Sequence, residues 1–426
     1  MQTSPEPAQP TSASYLQLVP RPVPWARYCA GFWGLVLFMP VGLTYLAFFA
    51  LALALVAGGH QSVRWRQLRA HGLFVPLLVL TAWTLFVLAL QPVIYPETPS
   101  NLWHGLRIVL TVAMALALTR EEATWALRGF LIAAACGILV IVAGPALGLP
   151  MDSPLRNLMQ YSGNKSISNA LLLAVLAGSA VIVAVACTGR DRLAALAVAL
   201  VLLGLIVFAL PSRSALLIAL LSMPAVALHQ WRNQWRRLLL ALGFMALVSV
   251  LLLVLVPAMQ SRLALGLAEL QQASAGDVTQ GSWNMRVQMI RHTADMVLEK
   301  PWMGWGIGAW NDQWRQRAPA ALVKLNMPHN DFLWMGAQAG LAGALAWLAV
   351  LLAACRIGWR RQDVAGRLAF VAALATVAAA LVNSATRDAA IGLCLPWIAA
   401  VFLRLADGPP KPDDPGGATA WAILWR

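Results

Sequence analysis

The chain has 426 residues, of which 60% are apolar and only 11% charged, where soluble domains average roughly 25% charged. A mean hydropathy of +0.69 excludes a water-soluble enzyme, a DNA-binding domain, a secreted disulfide scaffold and a disordered protein, and at ~20 residues per span leaves room for about ten to twelve transmembrane helices. The formal charge of +14, from 31 Lys+Arg against 17 Asp+Glu, then belongs to topology rather than to nucleic acid: short basic loops between apolar runs orient a membrane protein.

Residues 1–27 are rich in proline among small polar residues and are expected to be a disordered cytoplasmic N-terminus without a cleavable signal peptide. The first apolar run, 29–58, is interrupted by Pro40 and Gly42, so it is divided into a helical hairpin. Further runs occupy 73–91, 104–118, 129–149, 167–187, 193–210, 215–230, 238–256, 330–354, 368–385 and 389–405. The expected architecture is all-α and polytopic, with about twelve spans: nine within 28–256, a long outer loop at 257–329, three more within 330–405, and a cytoplasmic tail from 406. With both termini inside, inner segments carry 19 Lys+Arg and outer segments 12, seven of the latter in the long loop, and long translocated loops count little in this rule. The five cysteines lie in or beside apolar runs with no metal-ligand spacing and read as small hydrophobes.

Polar residues that membrane burial does not explain gather on the outer side. In the long loop, Leu263, Leu267 and Leu270 fall at helical spacing, which suits an interfacial helix. Ser282 is placed to cap a second helix that runs to Lys300 and stops at Pro301. On that helix Arg286, Ile290, Thr293 and Val297 share a stripe, while Arg291 stands four residues from Asp295 and reads as half of a surface ion pair. Gly304, Gly306 and Gly308 after Pro301 specify a tight backbone path able to approach a ligand, although no dinucleotide fingerprint is present. His329 and Asn330 open the tenth span, and Gly336, Gly340 and Gly343 beyond them offer a surface for close helix packing.

Other outer cations are Arg213 in a short turn, Arg156 and Lys165 before the sixth span, and Arg387 between the last two. A guanidinium held near hydrocarbon normally has a partner, and Arg213 is the least easily read as a simple headgroup anchor. No outer loop carries two adjacent carboxylates, which argues against a Mg²⁺ or Mn²⁺ site; no metal and no cofactor is expected.

The set formed by Ser212-Arg213, Arg286, Pro301-x-x-Gly304-x-Gly306-x-Gly308 and His329-Asn330-x-x-Leu333 resembles the bacterial O-antigen ligase and polymerase superfamily, most closely its ligase branch. The resemblance implies an inner-membrane glycosyltransferase with a periplasmic site, which moves O-antigen polysaccharide from undecaprenyl diphosphate to lipid A-core with inversion and without a metal. It marks His329, Arg286 and Arg213 as catalytic positions. Arg156, Lys165, Asn330, Arg387 and Arg291 are added as candidate substrate-binding residues, and membrane lipids are the remaining partners. O-antigen polymerases and protein O-oligosaccharyltransferases of the same superfamily are the alternatives. A lipid-linked glycan flippase would instead need charged residues along a mid-membrane path.

Overall fold

The structure is a computed structural model that describes residues 24–150, 153, 164–210, 212–274, 282–385 and 387–408. Each apolar run of the sequence is helical, and no strand occurs among the described residues. Helices α1 (Pro24–Leu35) and α2 (Val41–Ala57) are separated at Pro40, where the missing N–H and the restraint on the preceding residue end a helix. After α2 the chain bends by 114° into α3 (Gln61–Ala70). Next come α4 (Phe74–Leu90), α5 (Thr98–Ala117), α6 (Arg120–Ala146), α7 (Asn164–Ala186), α8 (Gly189–Gly204, extended by a π turn), α9 (Arg213–Trp231) and α10 (Trp235–Leu255). The long loop contributes α11 (Pro257–Ser274), α12 (Ser282–Glu299) and α13 (Ala309–Arg317). The chain closes with α14 (Asp331–Arg360), α15 (Val364–Val382), α16 (Ala389–Gly392) and α17 (Leu395–Leu405).

Among the described residues, seven helices are individually long and apolar enough to cross a membrane: α6, α7, α8 with its π turn, α9, α10, α14 and α15. The bent α2–α3 pair would make an eighth, and α4 and the α16–α17 segment are shorter apolar helices. This all-helical architecture is consistent with a polytopic membrane protein. Helices α7 and α15 form its interior, and α15 packs against α7, α9, α14 and α17. By contrast, no residue of α10 is buried, as befits a helix that is apolar on all sides and solvated by hydrocarbon. Trp33 and Trp397 stack at 4.0 Å between α1 and α17 and fix the far side of the core.

Loop segments sort to two ends of the bundle. At one end Arg64 forms a bidentate pair with Glu122 at 2.8 and 2.9 Å, and Gln67 donates to the carbonyls of Leu116 and Leu118. Glu122 also completes a capping box with Thr119, which satisfies the first turn of α6. At the other end Thr98 donates to the Ile307 carbonyl at 2.7 Å, Arg315 pairs with Glu97, Arg213 with Glu269, and the His329 amide donates to Ser384. The partners at this second end all come from segments placed on the outer side by their charge pattern.

Helix α14 is broken at Gly340, whose φ of 70° and ψ of −178° are non-helical. The chain after α12 fills the break: Trp305 and Gly306 donate their amides to the carbonyls of Ala337 and Gln338 at 2.8 and 3.1 Å, and Leu341 donates to Pro301 at 2.7 Å. Trp83 on α4 donates its indole N–H to the Ala339 carbonyl at 2.7 Å. A Cβ on Gly340 would lie 2.1 Å from the Trp302 carbonyl oxygen, and one on Gly304, at φ +68°, would lie 2.6 Å from the backbone of Gln338. Gly304 and Gly308 therefore approach protein backbone and Gly306 the Gln91 side chain, so the tight path expected to approach a ligand here approaches the protein itself. Gly336 faces Val297 of α12, so close helix packing at this glycine is as expected, with a loop helix as the partner.

Candidate functional site

Arg213 is the first residue of α9, behind Ser212, whose hydroxyl accepts from the Ala215 amide. A cation at a helix N-terminus is opposed by the helix dipole. Here a carboxylate offsets that opposition: the guanidinium donates to both oxygens of Glu269 on α11, at 3.2 and 3.3 Å. Glu269 is only 7% exposed, so this is a half-desolvated fork-to-fork contact rather than a surface pair. Leu263 and Leu267 of the same helix remain exposed, leaving them free for the expected interfacial role.

Helix α12 carries Arg286. Its inner face is Met289, Thr293, Met296 and Val297, packed against Trp310, Trp314, Trp334 and Leu322. Thr293 accepts the Trp310 indole N–H at 3.0 Å. Ile290 lies exposed, so the buried stripe is displaced from the one read in sequence, and Arg286 stands half-buried at its margin. Burial and the nearby Arg213 both lower the Arg286 pKa, whereas Glu269 raises it. With two guanidinium groups and one carboxylate the cluster has a formal charge of +1, which invites an anion.

His329 completes the cluster. Its backbone is left-handed, with φ of 54°, a conformation that costs a non-glycine residue energy and is often found at functional sites. Two contacts hold it there. Its amide donates to Ser384 Oγ at 3.0 Å, and the following residue, Asn330, caps α14 by accepting from the Leu333 amide while donating to the Leu381 carbonyl. Asn330, expected among the substrate-binding residues, thus braces the His329 turn. Burial, followed by the charge of Arg286, holds the imidazole pKa down to about 4, so His329 is a neutral imidazole near pH 7.

Arg387 occupies a neighbouring position. Its guanidinium lies 5.4 Å from the centre of the Trp334 ring, and its backbone carbonyl accepts from Arg107 at 3.2 Å. Arg107 is wholly buried and also donates to the Tyr45 hydroxyl at 2.7 Å. Burial lowers the Arg387 pKa, and the charges of Asp388 and Glu97 act against that effect. Arg387 thus stands against Trp334 of α14, close to the start of that helix.

Among the expected site residues, the structure brings Arg213, Arg286 and His329 together and sets Asn330 beside them. Arg291 is exposed on another side of α12, and its ion pair with Asp295 does not form among the described residues, both side chains being exposed, where such a pair gains little. Lys165 lies in the first turn of α7, its side chain outside the described residues, and Arg156 is outside them altogether. Glu269, Arg107 and the buried Asp331 were not singled out from sequence. A lone glutamate among leucines is the only hint for Glu269; an arginine inside an apolar run is a better one for Arg107, because such a residue needs a partner. Among the described residues no three His, Cys, Asp or Glu side chains cluster closely enough to hold a metal ion.

The fold and this cluster define a polytopic helical membrane protein with an anion-attracting, imidazole-bearing site at one end of its bundle. Residues 198–348 match a protein-family model described as O-antigen ligase, which supports membership of the O-antigen ligase and polymerase superfamily. The matched segment includes Arg213, Glu269, Arg286, His329 and Asn330 and excludes Arg387. Comparison with curated proteins gives no match.

Proposed function

We propose that the protein is an O-antigen ligase, a metal-independent inverting glycosyltransferase that transfers O-antigen polysaccharide from undecaprenyl diphosphate to lipid A-core at the periplasmic face of the bacterial inner membrane. The observation that carries this reading is the convergence of Arg213, Arg286 and His329 from three distant segments, all inside the matched region.

The chemistry follows from what each group can do. The donor's diphosphate binds between Arg213 and Arg286, whose planar forks suit phosphate oxygens. As the anomeric C–O bond to the diphosphate breaks, negative charge grows on the leaving group, and fixed guanidinium groups stabilise it. The acceptor hydroxyl attacks the anomeric carbon from the opposite face and passes its proton to the neutral His329, a step worth on the order of 10² to 10⁴ in rate. Undecaprenyl diphosphate departs as the anion. Because burial and then the Arg286 charge depress His329 basicity, arrival of an anionic donor beside Arg286 offsets the second effect. The site thereby becomes a competent base once the donor is seated.

The test incubates purified protein and undecaprenyl-diphosphate glycan with three separate acceptors: lipid A-core, a second lipid-linked glycan and a pilin-like protein. Sugar transferred to lipid A-core, retained in EDTA and abolished by His329→Ala, supports the ligase. Transfer to the second or third acceptor assigns a polymerase or a protein O-oligosaccharyltransferase instead, and full activity of the His329→Ala protein removes the imidazole from the mechanism.

A further inference from the structure

Helix α9 runs from Arg213 to Trp231, so its far end lies about 27 Å from the candidate site at 1.5 Å per residue. There α8 packs on α7 and α10 on α9, and a cavity of about 540 Å³ is lined by residues of all four helices, a size in the usual range of ligand pockets. Val185 of α7, Leu196 of α8 and Trp231 of α9 give it apolar walls, and Arg192 of α8 and Arg237 of α10 join them. Arg192 is fixed in place: its Nε donates to the carbonyls of Ala184 and Cys187, both at 3.1 Å, which closes the end of α7 and leaves the two terminal nitrogens for another partner. No Asp or Glu lines the cavity, so its two guanidinium groups give it a formal charge of +2. Gln230, also in the lining, has a buried Oε1 without a hydrogen-bond donor among the described residues, a condition that native structures rarely tolerate unless something else supplies the donor. The neighbouring cations are turned elsewhere: Arg232 lies 5.6 Å from the centre of the Trp359 ring and Arg236 5.4 Å from that of Trp235.

We propose that this cavity binds one anionic glycerophospholipid of the surrounding bilayer, with its phosphate between Arg192 and Arg237 and its acyl chains along α8. The site is separate from the reaction centre and independent of the reaction proposed for it. Charge selects the headgroup: basic pockets between spans take lipid phosphates, and two guanidinium groups without a carboxylate favour a net anion over a zwitterion, whose ammonium they repel. A glycerol headgroup also carries hydroxyls, one of which can donate to Gln230 Oε1. Shape and polarity select a lipid over a soluble anion. Leu196 lines the cavity, and with Leu193 and Leu200 it forms an exposed apolar stripe at i, i+3 and i+7 along α8, while α10 has no buried residue at all. Acyl chains leaving the cavity therefore lie against hydrocarbon on both sides. A lipid seated there bridges α8 and α10, and by binding the folded state alone it stabilises the protein through mass action.

The test titrates the full chain, purified in neutral detergent and stripped of lipid, with phosphatidylglycerol or with phosphatidylethanolamine of the same acyl chains, and counts bound lipid by native mass spectrometry. One phosphatidylglycerol is expected to bind about tenfold or more tightly than phosphatidylethanolamine. Arg237 is exposed, so Arg237→Gln leaves the fold intact, and it should weaken phosphatidylglycerol about tenfold, in line with the loss of a charge-assisted hydrogen bond. Arg236→Gln removes the same charge from the adjacent position outside the cavity and should leave the affinity within about twofold of wild type. Melting temperature should rise with phosphatidylglycerol in wild type and in Arg236→Gln, and rise less in Arg237→Gln. Equal affinity for the two lipids, equal weakening by the two substitutions, or wild-type affinity in Arg237→Gln overturns the site and leaves only unspecific surface charge. Glycerophosphoglycerol, the same headgroup without chains, should compete poorly; competition as strong as that of the intact lipid overturns the lipid and makes the cavity a site for a soluble anion.

Discussion

Replacing Glu269 by glutamine tests whether its carboxylate holds the place that the donor's diphosphate takes. The substitution keeps the shape and removes the charge. With N–O contacts of 3.2 and 3.3 Å the charge centres lie about 4 Å apart, for an attraction of about 1 kcal/mol in water and about 4 kcal/mol at an effective dielectric constant of 20. The Arg213 side chain is 35% exposed and that of Glu269 only 9%, so the pair lies between these limits, at about 1 to 2 kcal/mol after screening. In Glu269→Gln the donor no longer displaces a carboxylate, and the formal charge of the cluster rises from +1 to +2. Donor affinity should therefore increase roughly 5- to 30-fold. Binding of the donor to inactive His329→Ala protein, with and without Glu269→Gln, reads this effect. Donor binding that is unchanged or weaker in the glutamine variant refutes the reasoning.

Arg286→Lys keeps the charge but not the bidentate fork, and should lower kcat/KM for the donor roughly 10- to 100-fold; near-normal kinetics would reduce Arg286 to a point charge. For His329 the sign of the pH effect is fixed by its depressed pKa. A group held to about 4 stays deprotonated as pH falls below 6.5, so kcat/KM should remain level through that value and drop only near pH 4, whereas kcat, measured with donor bound beside Arg286, should decline at higher pH. An inflection of kcat/KM near 6.5 would show an imidazole free of Arg286. Gly340→Ala places a Cβ 2.1 Å from the Trp302 carbonyl in a backbone region reserved for glycine, at a cost on the order of 3 kcal/mol or more. Its melting temperature in detergent should fall well below wild type, and an unchanged value would mean that the loop is not seated in the break of α14.

The sequence made the helices legible because hydrocarbon demands long apolar runs and internally paired backbones, and every run is helical in the structure. Arg213 and His329 were legible for a related reason, since each stands at the mouth of a span where a charged or titratable group needs a purpose. Long-range pairing left less trace. Glu269 is one acidic residue in an amphipathic helix whose leucines dominate the pattern, and nothing local shows that it turns toward Arg213. The positive φ values after Pro301 were readable from the glycines; their partner was not, because the carbonyls they meet belong to a helix that breaks only where the loop replaces its hydrogen bonds. Arg107 sits inside an apolar run, and its partners Tyr45 and the Arg387 carbonyl lie 62 and 280 residues away.

The repaired break in α14 also constrains how the protein can be assembled. The exposed carbonyls of Ala337, Gln338 and Ala339 would each cost several kcal/mol in lipid without the donors supplied by residues 305, 306 and 83. That helix is therefore complete only after the preceding hydrophilic segment has folded back onto it. Docking of the loop and completion of α14 become a single maturation step.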